Sequence, residues 1–487
     1  EELRRVNPFD WEAEFPEAMG AGGFDAVIGN PPYIRIQTMK AWAPAEVEFY
    51  KRDYRAASKG NYDIYVVFVE RGLQLLNERG RLGFILPHKF FNAQYGAPLR
   101  ELIAEGRHLV EIIHFGDQQV FDGATTYTCL LFLDKADRDR FRFVEAHDLE
   151  GWRAGGEAIE GEVKAGKVTE KEWNFVVGPG AALFERLSEM PVRLGDVARI
   201  FQGLVTGADK VFILEQVESL DSELTKVRDS NGTELVLERG ILKPFIKGMT
   251  VSTFSRPEWQ HRIIFPYNLR DNQATLISSR EMAKLYPRTW EYLKGNAKIL
   301  RDRERGKWDH AQWYAFGRSQ NLTEMEDFKL IVQVISLFGR YAYDNTGLYF
   351  TGGGNGPYYG VRWHKTDDPH SLHYLQAILG SPVLDFYLYQ VSSPFRGGYW
   401  SYGKRFIEQL PIRTINFSDP ADAARHERMV ALVEQMLALH QKLAAATVPA
   451  DRTLYQRQIE ATDRRIDALV YELYGLTEEE IVIVENA

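Results

Sequence analysis

A single cysteine, Cys129, stands in 487 residues, which excludes an internal disulfide and a cysteine-built metal site. It falls inside an apolar, strand-like run and reads as a small buried hydrophobe. No uninterrupted apolar stretch reaches the ~18 residues that a membrane-crossing helix needs, and no secretory signal opens the chain. The expectation is therefore a cytoplasmic protein with no membrane partner and no metal site. The glycine run Thr351-Gly352-Gly353-Gly354-Asn355-Gly356-Pro357-Tyr358-Tyr359-Gly360 has no Lys-Ser or Lys-Thr after it, which argues against a nucleotide P-loop. It suits a turn that lets another backbone, of nucleic acid or of a neighbouring domain, come close.

What is present begins with Asn30-Pro31-Pro32-Tyr33, directly after the apolar run Phe24-Asp25-Ala26-Val27-Ile28-Gly29. A buried strand ending in a rigid turn can place an amide, a peptide carbonyl and an aromatic face around one flat ring that bears an amino group, because proline fixes φ and offers no N–H. An exocyclic amine is a poor nucleophile, since its lone pair is delocalised into the ring. If the Asn30 side-chain oxygen and the Pro31 carbonyl both accept from the amino hydrogens, charge developing on nitrogen is stabilised without an ionised base. Tyr33 would stack on the ring and fix its plane. The same four residues are also ordinary turn formers at the end of a strand.

At these residues the chain resembles the N6-adenine DNA methyltransferases, whose fourth motif reads Asn-Pro-Pro-Tyr. The resemblance implies S-adenosylmethionine as methyl donor, a flipped-out adenine as acceptor, and an α/β Rossmann-like methyltransferase fold of which this chain holds the C-terminal part. Asn30, Pro31, Pro32 and Tyr33 would be catalytic, with Asn30 and Pro32 also bordering the donor. Downstream, Val66 to Leu76 has the spacing of a buried helix, and Gly80 to Pro87 reads as a tight turn into a buried strand. His88-Lys89-Phe90 follows that strand's C-terminal end, where open α/β sheets hold ligands. A helix over about 96–106, a strand over Leu109 to Phe115 and a strand within Val120 to Leu133 continue the family's order. By the same resemblance Phe121 would cover the flipped base opposite Tyr33. Simple core packing is the other reading of that phenylalanine.

The methyl-donor site of this family is built mainly on strands that precede the Asn-Pro-Pro-Tyr turn. Here no Gly-rich strand-to-helix turn and no acidic strand end come before it. Gly20-Ala21-Gly22-Gly23 sits too close to the motif strand to be a donor cradle. The expectation is a truncated polypeptide whose donor pocket lies largely outside it, with an upstream methyltransferase or nuclease region, or a partner subunit, completing it.

The net charge is −9, yet Glu238 to Arg340 holds 18 Lys or Arg against 11 Asp or Glu, a local net of +7 that leaves −16 elsewhere. The basic excess sits where a double-stranded DNA partner would need it. From Met190-Pro191 to Pro411-Ile412 the alternation of short strands and turns suggests an α+β module. This region resembles the target-recognition domain of TaqI-type methyltransferases and the specificity subunits of type I restriction systems. Within it Arg301, Arg303, Arg305, Lys307 and Arg318, with interleaved Trp308, Trp313 and Tyr314, can neutralise phosphates, and Arg318 can present a bidentate fork to guanine. A solvated helix laced with ion pairs is the competing reading. Arg396, Tyr399, Lys404 and Arg405 form a second group of candidate DNA contacts, leading to Leu410-Pro411-Ile412.

After Asp419-Pro420, apolar spacing predicts one amphipathic helix up to Pro449 and a second ending at Gly475, an antiparallel hairpin. The expected division is a partial methyltransferase domain at 1–145, a linker at 146–189, a recognition domain at 190–415 and the hairpin at 416–487. Asp148 with Glu162-Val163-Lys164 only loosely imitates a nuclease pattern and lacks apolar strands around it. Three functions compete: a site-specific adenine-N6 DNA methyltransferase of a restriction-modification or phage-defence system, a DNA-binding specificity module inactive alone, and a protein glutamine-amide methyltransferase. The long basic and aromatic second region argues against the last.

Overall fold

The computed structural model describes residues 9–121, 126–248, 251–255, 257–352, 357–364 and 370–487. Two compact units emerge, one of residues 1–185 with 394–396 and one of residues 186–393 with 397–487. The first is built on a six-stranded sheet of β1 (Phe24–Gly29), β2 (Leu76–Pro87), β3 (Leu109–His114), β4 (Thr128–Asp134), β5 (Arg140–Glu145) and β6 (Ile159–Lys164), in the order β1-β2-β4-β3-β5-β6. β1 runs parallel to β2, and β4 is antiparallel to both β2 and β3. The C-terminal ends of β1, β2 and β3 therefore share one edge of the sheet with the start of β4.

Helix α1 (Tyr65–Leu75) packs on this sheet through an apolar face that includes Val66, Val69 and Leu73. Its interior glycine has a reason: a β-carbon on Gly72 would stand 2.5 Å from the Leu82 side chain. Close helix-to-sheet approach offsets the ~1 kcal/mol that a mid-helix glycine costs. Helix α2 (Ala97–Glu105) buries Leu99, Ile103 and Arg100. The Arg100 guanidinium donates to the carbonyls of Phe90, Ala93 and Glu170, tying down the segment that follows β2.

Three sequence expectations need correction in this unit. The strand before Asn30, expected to be buried, is the edge strand β1, in which no residue is fully buried. The turn expected at Gly80 lies within β2: Phe24 pairs with Leu76 but Ala26 with Arg81, so residues 77–80 bulge out of the ladder. A β-carbon on Gly80 would meet the Phe24 carbonyl at 2.4 Å, so the glycine marks close backbone approach. The stretch 146–189, expected as a linker, contains β6, which pairs with β5 along its whole length, and a helix at Leu149–Arg153 capped by Asp148. β6 lies at the sheet's edge and is mostly exposed, so its Gly- and Glu-rich sequence satisfies an edge strand and mimics a linker.

The second unit begins with β7 (Ala198–Gln202) and continues through β8 (Ile213–Ser219), β9 (Leu224–Arg228), β10 (Glu234–Glu238), β11 (Leu242–Phe245) and β12 (His261–Ile264). A hairpin of β13 (Tyr267–Arg270) and β14 (Gln273–Leu276) precedes β15 (Lys329–Gln333), β16 (Ile335–Ser336), β17 (Tyr341–Asp344) and β18 (Tyr358–Trp363). Two antiparallel sheets result, β10-β9-β8-β12-β11 and β17-β15-β18-β7. Trp313, Tyr314 and Phe316 belong to their shared core with Phe212, Phe265 and Tyr349. Lys329 and Asp344 form a fully buried ion pair of 2.6 Å across the β15–β17 ladder.

Helices α3 (Leu372–Leu379) and α4 (Pro382–Val391) support the long hairpin of α5 (Pro420–Ala445) and α6 (Pro449–Tyr474). Pro449 sits in the first turn of α6, and Gly475 ends it with φ 60°. Residues 416–487, expected as a separate element, pack within the second unit. Among the described residues no helix is long and apolar enough to cross a membrane.

Candidate active site

The turn after β1 leaves the sheet at Asn30, which is exposed, while Pro31 is buried and Pro32 and Tyr33 are half-buried. Two prolines in succession remove two N–H donors and fix two φ angles, so the strand cannot continue. The exit is stapled to the segment before α1: Ile64 N donates to Ile34 O at 2.9 Å and Ile36 N to Tyr62 O at 2.9 Å. Between them Arg35 and Asp63 form an isolated bridge.

Tyr33 is held from two sides. Its hydroxyl donates to the Ile85 carbonyl of β2 at 3.1 Å, and its ring meets the edge of Tyr65 with centroids 6.5 Å apart and planes at 85°. Burial, with a smaller contribution from Cys129, pushes its hydroxyl up to about 12, so Tyr33 is neutral. Tyr65 in turn shares a 2.9 Å hydrogen bond with the Tyr95 hydroxyl. Asp63 sits beside this chain of phenols. Burial raises its carboxyl, while Lys89, Arg35 and a hydrogen bond with Tyr95 oppose the rise. By contrast the Asn30 side chain has no hydrogen-bond partner among the described residues, and Ile28, two residues earlier on the edge strand β1, is 85% exposed.

Along the same sheet edge, His88 follows β2 and His114 ends β3, with ring centroids 4.3 Å apart. His88 Nε2 donates to Gly116 O at 3.3 Å, and Gly116 N donates to His114 Nδ1 at 3.2 Å. His88 N also donates to Tyr127 O at 3.3 Å, and the His88 and Tyr127 rings lie nearly parallel. These contacts clamp both ends of the segment that carries Phe121. Burial depresses His88 to about 4 and His114 well below its ordinary value, so both imidazoles are neutral at neutral pH. Phe121 itself is exposed, and residues 122–125 lie outside the described residues.

In the second unit the predicted cations divide. Arg303 is buried: its guanidinium donates to the carbonyls of Leu300, Thr206 and Trp313 and stacks over Trp308 at 4.3 Å. Arg301 pairs with Asp309 at 2.5 Å over the Trp313 ring, and Arg318 pairs with Glu304 at 2.6 Å. Glu304, Arg305 and Gly306 are three consecutive residues at positive φ, 49°, 63° and 83°. They turn Arg305 and Lys307 outward, and both are exposed without an ion-pair partner among the described residues. Tyr399, Lys404 and Arg405 are exposed, and so is Arg396, whose segment 394–396 belongs to the first unit. In the glycine run, Gly352 lies against Gly203 of the same unit, where a β-carbon would stand 2.5 Å from the Gly203 nitrogen; Gly353 to Gly356 lie outside the described residues.

Sequence reasoning named Asn30 to Tyr33 and pointed to the end of β2. It missed Tyr65, Tyr95 and the His88–His114 pair, because their partners come from separate strands and only tertiary structure unites them. No spacing in the chain signals them.

Residues 1–121 match the family described as Eco57I restriction-modification methylase. The chain is 29% identical over 502 residues to the type II restriction enzyme and methyltransferase RM.Eco57I of Escherichia coli, covering all of this chain and 49% of that protein. It is 26% identical over 490 residues to the type II methyltransferase M.PaeR7I of Pseudomonas aeruginosa, covering 96% of this chain and 73% of that one. The chain thus spans about half the length of RM.Eco57I. Among solved structures, the type IIL restriction-modification enzyme MmeI in complex with DNA aligns with a TM-score of 0.57 at 12% identity, over 98% of this chain and 57% of that one. That likeness extends to both units and establishes a shared fold.

Proposed function

We propose that this chain is the base-binding and DNA-recognition portion of a site-specific DNA methyltransferase of a restriction-modification system, acting on the N6 amine of a flipped adenine. The observation that carries the proposal is the contrast at the β1 turn: Asn30 is exposed with no internal partner, while Tyr33 beside it is fixed by Ile85 and Tyr65. An exposed amide with no internal partner leaves its oxygen available to an outside ligand, and the immobilised aromatic ring beside it is preorganised to receive a flat ring bearing amino hydrogens. Asn30 Oδ1 and the Pro31 carbonyl accept from the amine, and Tyr33 stacks on the base. Phe121 closes over the opposite face. β1 and β3 are three inter-strand steps apart, about 14 Å, and the six residue-to-residue steps from Phe115 to Phe121 span up to ~20 Å when extended. The reach is sufficient.

S-adenosylmethionine, when bound, supplies the electrophilic methyl group. Asn30 and Pro32 stand at the end of an edge strand, so they can border a donor whose pocket is completed along the free edge of β1. As the terminal strand of its sheet, β1 offers that edge to a further strand or subunit, and exposed Ile28 lies on its uncovered face. Arg305, Lys307, Arg396, Tyr399, Lys404 and Arg405 supply duplex contacts, and Arg303 holds the Arg305 turn in shape.

The test is methyl transfer from labelled S-adenosylmethionine to duplex DNA lacking adenine methylation, followed by nucleoside analysis, with the chain alone and with the segment that completes β1. N6-methyladenine that disappears in Asn30→Ala supports the proposal, with a loss of at least 10²-fold expected. Specific DNA binding with no transfer under either condition would make the chain a recognition module. Label on a protein glutamine amide, with none on DNA, would overturn the reading.

A further inference from the structure

The second unit carries an exposed apolar cluster that its fold does not use. Strand β16 pairs with the short strand Tyr399–Ser401, matching Ile335 to Ser401 and Ser336 to Trp400. Ile335, Leu337, Phe338 and Tyr399 around this pairing are 46%, 39%, 49% and 41% exposed. Four large apolar side chains at one place on a surface mark an interaction site more often than chance exposure does.

The cluster is rigidly mounted. The Tyr389 hydroxyl donates to Leu337 O at 2.8 Å, and the Tyr389 ring stacks on Trp400 at 4.8 Å. Gly339 N donates to both oxygens of Asp385, at 2.9 and 3.1 Å, and Gly339 O accepts from the Thr253 hydroxyl at 3.1 Å. Asp385 also accepts from the Tyr402 hydroxyl at 2.8 Å. No side chain fits at Gly339, where a β-carbon would lie 2.9 Å from both Asp385 Oδ1 and the Leu379 carbonyl. The backbone therefore presents Leu337 and Phe338 in one fixed attitude and has no freedom to fold them inward.

Charge decides what the cluster faces. Segments 332–343 and 397–407 contain Arg340, Lys404 and Arg405 and no carboxylate. The Arg340 guanidinium lies 4.7 Å from the centre of the Phe338 ring. A stiff apolar point whose own two segments carry cations, with the Asp385 carboxylate buried beneath it, complements a polyanion whose interior consists of flat apolar faces, namely duplex DNA entered between base pairs.

We propose that Leu337 and Phe338 form a wedge that enters the base stack of bound duplex DNA, with Arg340 and Lys404 on the flanking phosphates. The inference rests on the DNA-binding reading above and adds to it the place where the stack is opened. The wedge stabilises duplex DNA in an unstacked state.

The experiment compares binding of the full chain to two duplexes of one 30-base-pair sequence, intact and with a single tetrahydrofuran abasic site, by fluorescence anisotropy. A 2-aminopurine beside the gap reports stacking. A duplex already opened spares the unstacking cost, so the wild type should prefer it by about tenfold, with a change in 2-aminopurine emission. The double variant Leu337→Ala/Phe338→Ala should bring the preference to about one, while Phe338→Trp, which preserves a large apolar point, should retain it. An unchanged preference in the double variant, with its melting temperature intact, would overturn the wedge and leave DNA binding standing. Loss of the preference in Phe338→Trp as well, or a dimer in sedimentation that the double variant dissociates, would also overturn it, the latter by showing that a second copy covers the cluster. Failure of the wild type to bind either duplex would remove the DNA reading itself.

Discussion

The hydroxyl of Tyr33 donates a hydrogen bond of 3.1 Å to the backbone carbonyl of Ile85, joining the turn after β1 to the C-terminal part of its parallel neighbour β2. Through it a side chain proposed to meet a substrate is positioned by the sheet that carries the turn. The ring's orientation thus depends on a bond made at the far end of the phenol. Tyr33→Phe keeps the ring and deletes that bond. It should cost about 1 kcal/mol of stability and lower methyl transfer several-fold through a looser base, whereas Tyr33→Ala should cost more in both. Thermal melts and single-turnover transfer rates check this, and a Tyr33→Phe variant equal to wild type in both would refute the positioning role.

Arg303 and Arg305 are two residues apart and should behave as opposites. Arg303 is buried against three carbonyls and makes no direct ion pair among the described residues, so Arg303→Met leaves three acceptors unsatisfied and should destabilise by about 2–4 kcal/mol. Arg305→Ala and Lys307→Ala should leave the melting temperature within a degree or two. Each should weaken DNA binding across sequences and reduce the slope of log affinity against log salt by about one. Salt titrations of the single variants decide the point.

That contrast also shows how much of the molecule was legible in the chain. Local pattern located α1, α2, β1, β3 and the long helices at Pro420 and Pro449, because amphipathic spacing, proline and glycine act within a few residues. It could not separate Arg303 from Arg305, since burial of one guanidinium is decided by the carbonyls of Thr206 and Trp313, about a hundred residues and ten residues away. The 146–189 stretch misled for a related reason, an exposed edge strand being polar in composition whether or not it is paired. Asn30 to Tyr33 stand out in the sequence because they are contiguous, whereas His88 and His114 meet only when β2 and β3 come together.

Asp385, which pins Gly339, should make stability depend on pH in an unusual direction. Burial raises its carboxyl to about 7, against 3.8 for an ordinary aspartate, with the Tyr402 and Gly339 hydrogen bonds opposing the rise. Between about pH 4 and 7 the folded state holds a proton that the unfolded state has released, so the contribution of this group falls as pH rises through that window. Asp385→Asn cannot titrate. The melting temperature of the variant minus that of the wild type should therefore increase from pH 5 to pH 8, and a difference independent of pH would show that Asp385 ionises normally.

His88 should act with the opposite sign. Burial depresses it to about 4, so its ring stays neutral in the fold while an unfolded histidine protonates near 6.5. Its contribution is complete above pH 6.5 and is lost as pH falls toward 4, on the order of 3 kcal/mol across the window. Protonation also puts a charge beside His114, whose Nδ1 accepts from Gly116, and so strains the clamp on the segment that bears Phe121. Gln at position 88 can still donate to the Gly116 carbonyl and carries no titrating proton. His88→Gln should accordingly move the acid-unfolding midpoint, followed by tryptophan fluorescence, to lower pH. It should also flatten the acidic limb of the methyl-transfer profile while leaving the rate at pH 8 within a few-fold of wild type. Superimposable acid limbs for the two proteins would remove His88 from that role.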